Sequence, residues 1–335
     1  MTNLRIRQAK PDLADGSSHD IYRQEKPKIA KGVSILLRIG LALGGGGARG
    51  AAHFGILKVL EEEGIPIDII AGTSMGAIVG AMYAQNPDAA AVTERYEKFI
   101  NSVDYGSLGL QDIAPSVQDS HILQKFARTI AQRIYISSMG SRSGIMKPEF
   151  LEKALEELLD RGNIQDTKIP FGAVATDLNS GSTLLMRKGS IRKAVRRSAL
   201  IPGYLPPEHD GERLITDGAV SEPVPVGSAR EMGAEVTIAV SVDPAMVTPI
   251  EDPNMINIMM RCDMIRGIYI SRVQREMADV CICPDLSGTH WSEFLSSGEF
   301  IRMGEEEARK KIPDIRKAMG RKRNWLFRLF SRKNR

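Results

Sequence analysis

Leu43-Gly44-Gly45-Gly46-Gly47-Ala48-Arg49-Gly50 is followed by Gly72-Thr73-Ser74-Met75-Gly76, and what flanks these two glycine-rich runs decides the fold. Residues 35–43 are apolar and branched, as in a buried strand, and run directly into the glycines. Residues 51–63 place Phe54, Leu57 and Leu60 at helical spacing, with Gly64 where a C-terminal cap belongs. A second apolar run, residues 67–71, ends at Gly72, and the small-residue stretch 77–84 reads as a buried helix. The order strand, glycine loop, helix, strand, sharp turn, helix predicts a parallel sheet covered on both faces.

Outward from this nucleus, residues 1–33 are polar and aperiodic and read as a flexible leader. Residues 101–144 mix amphipathic pieces with Gly/Ser-rich segments and form a candidate cap, with an ordinary surface insertion as the equal alternative. Residues 150–159 are helical, 169–176 strand-like, and Asn179-Ser180-Gly181 turns the chain so that 182–187 can return as a hairpin partner. A basic helix over 190–200 is stopped by Ile201-Pro202-Gly203, and its arginines are expected on a solvated or ion-paired face. Residues 214–216 lead into Asp217-Gly218-Ala219, and 235–242 is another apolar strand. The expected organisation is a domain over 34–245, a helical extension over 246–319 and a basic, aromatic tail over 320–335.

The chain has 335 residues, with 42% hydrophobic and 26% charged side chains, as ordinary globular proteins have. A formal net charge of +4 is too small for the whole chain to imply a polyanionic partner, and no stacking aromatics or recognised module point to nucleic acid. The N-terminal residues contain no apolar secretory core, and residues 67–84 carry Asp68, Thr73 and Ser74, unlike a membrane span. Cys262, Cys281 and Cys283 read as reduced thiols rather than a metal or disulfide framework. A cytoplasmic location is the expectation.

GxSxG describes a nucleophile elbow, in which Ser74 sits on a strained strand-to-helix turn and Gly72 and Gly76 leave room for close backbone approach. Thr73 and Met75 complete that turn, and the helix that follows aims its positive dipole end at Ser74. The GxGxxG run admits two readings, a dinucleotide pyrophosphate site and an oxyanion hole, because both need unhindered amides at a helix N-terminus. Asp68 lies near the offset at which a Rossmann site places its acidic residue, but inside the predicted strand; the elbow nearby favours the oxyanion. Arg49 can position a head group or simply pair with a carboxylate. Ser74 needs a base. None of His19, His53, His121, His209 or His290 has a context that suggests one, whereas Asp217 ends an apolar segment and is followed by Gly218-Ala219. A carboxylate is a weak base for an alcohol and acts only if tightly placed and partly desolvated.

In these motifs the chain resembles the patatin-like phospholipase family, whose marks are a GxGxxG oxyanion loop, a GxSxG elbow and a DG[AG] motif. They match Gly45-Gly46-Gly47-Ala48-Arg49-Gly50, Gly72 to Gly76 and Asp217-Gly218-Ala219 without departure. The likeness extends to Ala175-Thr176-Asp177-Leu178 and to Arg197-Ser198-Ala199-Leu200-Ile201-Pro202-Gly203. The resemblance implies a three-layer α/β/α fold with a mainly parallel central sheet. It also implies a Ser74–Asp217 dyad, amides of the Gly45–Gly50 loop as the oxyanion hole, a phospholipid or other lipid ester as substrate, and neither metal nor organic cofactor.

Seven Lys or Arg and no acid fall among residues 320–335, interleaved with Trp325, Leu326, Phe327, Leu329 and Phe330. Such a tail suits the surface of an anionic membrane or, equally, a solvated or partner-bound segment. The leading expectation is a peripheral lipid acyl hydrolase. The alternatives are a lipid-binding or regulatory protein with little turnover and, well behind, a nucleotide-binding protein.

Overall fold

β1 (Ile39–Leu43) is buried along its whole length at the centre of the sheet. The computed structural model describes residues 37–102, 148–243, 249–250, 253–289 and 292–332, without the side chains of 256 and 326–332. The leader 1–33, nearly all of the candidate cap 101–144, and His19, His121 and His290 lie outside the described residues. β1 runs parallel to β2 (Ile69–Thr73) on one side and to β7 (Val236–Val240) on the other. β3 (Phe171–Asp177) continues the parallel set beyond β2, and β8 (Val280–Ile282) continues it beyond β7. The antiparallel strands β4 (Ser182–Met186), β5 (Glu208–Asp210) and β6 (Arg213–Asp217) collect around β3. The hairpin of β3 and β4 is the one that the turn at Asn179-Ser180-Gly181 predicts.

The two faces of the sheet are covered unequally, and the sequence of each strand shows why. Ile39, Leu41 and Leu43, with Ile70, Val236, Ile238 and Val240, point into the larger core. Ala42, Ala71 and Ala239 point the other way into a small one. Successive residues of a strand alternate faces, so large side chains meet a thick layer and alanines a thin one. The thick layer holds α1 (Ala52–Glu62), α2 (Met75–Gln85), α3 (Ala89–Ser102), α4 (Pro148–Leu158) and α5 (Ile191–Ser198). The thin layer is α6 (Val226–Glu231), whose Val226 and Ala229 sit on the small core, with α7 (Met255–Glu276) against α6.

The C-terminal part shares this framework. Residues 280–282 enter the sheet as β8, and α8 (Ser297–Arg332) passes residue 320 without a break. α8 buries Phe300, Ile301, Ala308, Ile312 and Ile315 in the larger core and packs along α1. The two helices touch backbone to backbone: a Cβ on Gly55 would stand 2.0 Å from Ile301 O, and one on Gly304 2.2 Å from Ala52 O. At the tail, Trp325 is exposed and Lys322 Nζ lies 5.3 Å from its ring centre. No helix among the described residues is long and apolar enough to cross a membrane.

Candidate active site

Ser74 stands between β2 and α2 with φ 54° and ψ −123°, the one non-glycine residue of positive φ among those described. Such a conformation costs on the order of 1–3 kcal/mol and persists only when its surroundings enforce it. Here they do. The Ser74 N–H donates to Ser198 Oγ at 3.0 Å, and Ser198 Oγ in turn donates to Val174 O. Thr73 Oγ1 donates to Glu222 O at 2.8 Å, and the amides of Ala77 and Ile78 close the first turn of α2 on Ser74 O. Gly72 and Gly76 are required by contact: a Cβ on Gly72 would lie 2.5 Å from Gly76 O, and one on Gly76 2.1 Å from Leu43 O. α2 therefore begins at Met75, two residues earlier than the apolar pattern suggests, directly on the end of β1.

The glycine loop lies over this elbow. A Cβ on Gly45 would be 3.1 Å from Ser74 Cβ, and one on Gly50 2.4 Å from Met75 Cγ. The Gly45 N–H donates to Pro223 O at 3.0 Å, as that of Gly44 donates to Val240 O at 2.9 Å. This corrects the assignment of Gly45 as an oxyanion donor: its amide is spent on the scaffold, and what it supplies is room beside Ser74. From Gly47, which has φ 57°, to Ala51 the chain forms a 3-10 turn leading into α1. The amides of Gly46, Gly47 and Ala48 open that turn, where no earlier carbonyl of the turn can accept them. Two side chains hold the loop in shape. His53 Nε2 lies 2.8 Å from Gly44 O, which can only accept, so this nitrogen carries the proton. Arg49 Nε donates to Gly46 O at 3.3 Å, and the charges of Asp243 and Glu293 act on its buried guanidinium. The bond to Gly46 O ties Arg49 to the loop itself.

Asp217 reaches Ser74 through the register of the sheet. Ala173 and Val174 pair with both β2 and β4, whereas residues 175–177 pair with both β4 and β6. A strand residue has two edges, so β2 and β6 must share one edge of β3, end to end. Thr73 faces Val174 and Asp217 faces the next residue, Ala175. The C-terminal ends of the two strands therefore meet, and the serine and the aspartate turn off side by side. Gly218 permits the turn, since a Cβ there would be 2.3 Å from Val174 O. Asp217 Oδ1 accepts the Ala219 N–H at 2.8 Å. Oδ2 is buried with no hydrogen-bond partner. Burial pushes the Asp217 carboxyl up to about 7, against the Ala219 amide and the Ser74 hydroxyl, which both favour its charged form. No hydrogen bond closes between the Ser74 hydroxyl and Asp217 Oδ2, a looseness common in unliganded sites.

The other sequence candidates fall elsewhere. Burial pushes His53 down to about 4, so it stays neutral as a brace of the loop. His209 is exposed on β5 at the margin of the sheet. Asp68 precedes β2 and accepts the Ile39 N–H at 2.7 Å, at the end of the sheet away from Ser74, which removes the acidic residue of a dinucleotide site. The basic helix is ion-paired: Arg197 Nη2 meets Glu208 Oε1 at 2.7 Å and Asp210 Oδ1 at 2.9 Å, and Arg196 also pairs with Glu208. A surface cavity of about 310 Å³, lined in part by Met82, Gln85, Arg95 and Lys168, opens at the far end of α2 and has no part in the site. One positioning residue escaped sequence reading. Ser198 shares the buried face of α5 with Ile191, Ala194 and Val195; its segment belongs to the family likeness, but no feature of the sequence assigned it a role.

The family profile described as Patatin-like phospholipase matches residues 41–230. An uncharacterized NTE family protein of Mycobacterium tuberculosis is 32% identical over 223 residues, 65% of this chain and 53% of that protein. The patatin-like phospholipase domain-containing protein 6 of Homo sapiens is 33% identical over 206 residues, 61% of this chain and 13% of that protein. The chain thus spans about half the length of the first of these relatives and much less of the second. Among solved structures, VipD from Legionella pneumophila aligns over 82% of this chain and 66% of its own, with a TM-score of 0.42 and 13% identity.

Proposed function

The chain belongs to the patatin-like phospholipase family, and on that footing we propose that it hydrolyses lipid acyl esters through Ser74 and Asp217. The observation that carries this is the unpartnered, buried Oδ2 of Asp217 beside a serine held at positive φ. In the reaction, Asp217 takes the proton of the Ser74 hydroxyl as Oγ adds to the ester carbonyl carbon. The carbonyl oxygen becomes an oxyanion facing the amides of Gly46, Gly47 and Ala48, where fixed dipoles in a dry site are most effective. Collapse breaks the ester C–O bond, the departing lipid alcohol receives the proton from Asp217, and an acyl-Ser74 ester remains. Water then adds to that ester, giving its proton to Asp217, and the fatty acid leaves as Ser74 Oγ takes the proton back. A base near neutral pKa suits both proton transfers.

Among the described residues, His53 braces the glycine loop and His209 lies at the margin of the sheet, which leaves Asp217 as the base in this reading. Mass-spectrometric profiling of phospholipid vesicles incubated with the protein tests the reading. Free fatty acid and lysolipid should accumulate with the wild type and stay at background with Ser74→Ala. Equal release by the two proteins would refute it, and vesicles left unchanged by the wild type would favour the lipid-binding alternative.

A further inference from the structure

Of the thirteen large apolar side chains exposed among the described residues, nine lie between residues 255 and 277, on α7 and its last turn. Met255 is 73% exposed, Met259 65%, Tyr269 62% and Val273 60%. Residues 255, 259, 262, 266, 269 and 273 are spaced by three and four and so form one stripe along the helix. We propose that this stripe is the surface by which the protein docks on an anionic lipid bilayer, with the Ser74–Asp217 site turned toward it. The proposal rests on the lipid-hydrolase reading for its functional sense.

Charge identifies the occupant. α7 carries four arginines, no lysine and two acids. Arg266 falls within the apolar stripe rather than beside it, and Arg272 lies over the Tyr269 ring at 5.7 Å. In a dry seam between two protein copies, Arg266 would be desolvated with Asp263, three residues before it, as the one acid within a turn of it on its own helix, at high cost. At a bilayer the same side chain extends from the apolar level to the phosphates while Met, Tyr and Val sink below them.

Attachment to the site supports the same occupant. Gln274 of α7 accepts the Val224 N–H at 3.0 Å and donates to Ser221 O at 3.1 Å, in the segment that follows Asp217. Ser271 donates to Asp243, whose charge acts on Arg49 of the glycine loop. The C-terminal third of α7 is thereby fixed to both walls of the site, while its N-terminal part stands exposed. Val220, three residues from Asp217 and 41% exposed, adds to the apolar rim.

Co-sedimentation with vesicles of phosphatidylcholine alone or mixed with phosphatidylglycerol tests the surface, with fluorophosphonate labelling and Tm read on the same samples. The wild type should bind the mixed vesicles at least tenfold better than the neutral ones. The triple variant Met259→Glu, Tyr269→Glu, Val273→Glu should lose that binding at least tenfold while keeping Tm and labelling. Arg266→Glu should lose only the preference for the anionic lipid. Undiminished binding by the triple variant would overturn the proposal, as would a wild type that ignores vesicles. So would a wild-type dimer that the triple variant dissociates with vesicle binding unchanged, since the stripe would then join two copies. Binding lost with the stripe in a protein that never labels would keep the docking surface and remove the hydrolase reading.

Discussion

Asp217→Asn should lower kcat for a soluble ester by about 10³–10⁴-fold and, at the same time, raise the melting temperature above neutral pH. Both effects come from one observation: the carboxyl is fully buried, its Oδ2 has no partner, and it titrates near 7. The asparagine has nearly the same shape and can still accept from Ala219, but it cannot take the serine proton. The stability effect follows from linkage. A carboxyl whose folded pKa lies above its unfolded one is favoured in its protonated form by the native state. Its contribution is intact below about 4 and is lost as pH rises through about 7, when a charge must be held without solvent. The full difference is on the order of 4 kcal/mol, which for a domain of this size corresponds to roughly 6 °C as an upper bound. The gain in Tm of the variant over the wild type should therefore grow between pH 4 and 7 and then level off. A constant gain across that range would mean that the carboxyl is not held against its charge. The rate should follow the opposite course, with kcat/KM rising along an acid limb of apparent pKa near 7.

Gly76→Ala should damage fold and activity together. The added Cβ would stand 2.1 Å from Leu43 O and 2.6 Å from Gly44 O, both backbone atoms at the junction of β1 and the glycine loop. Neither can swing aside as a side-chain end would, so α2 must separate from the end of the sheet. Overpacking of this kind costs roughly 1–3 kcal/mol or more, or about 2–5 °C or more in Tm. A displacement of 1 Å between nucleophile and oxyanion donors costs about 100-fold in rate, so the surviving folded protein should also be slow. Gly45→Ala is the informative contrast. Its Cβ would be tight only against Ser74 Cβ, at 3.1 Å, which calls for a shift of a few tenths of an ångström, with Thr73 O and Ala219 Cβ at ordinary contact distance. That variant should melt close to the wild type and lose rate by crowding the nucleophile. Circular dichroism melts with initial rates on a soluble ester separate the two cases, and equal melting of both variants would contradict the packing account.

How much of this was legible in the sequence depends on whether a feature is local. The order β1, glycine loop, α1, β2, elbow, α2 was readable because apolar runs and glycines are local signals. The unequal faces of the sheet were not, since Ala42, Ala71 and Ala239 merge into apolar runs that look alike on both sides. β8 is three residues long, too short for any period to register, and its place in the sheet is fixed by pairing with β7. At the site, Ser74 was marked by its turn. Asp217 was singled out by its place at the end of an apolar segment, but its pairing with Ser74 came only through the family resemblance, because that approach depends on two strands meeting end to end on one edge of β3. A glycine pattern also cannot say which amides the scaffold consumes. Gly45 and Gly47 both hold glycine positions of GxGxxG, yet only the fold brings Pro223 O to the Gly45 N–H.

The central claim is that Ser74 is a nucleophile activated by Asp217, and covalent labelling tests it most directly. The full chain is exposed to a fluorophosphonate and the adduct located by peptide mass spectrometry. The account predicts a single adduct on Ser74, absent from Ser74→Ala, formed far more slowly in Asp217→Asn and accelerating in the wild type as pH passes through about 7. An adduct on any other serine, or labelling of Asp217→Asn at the wild-type rate, would contradict it.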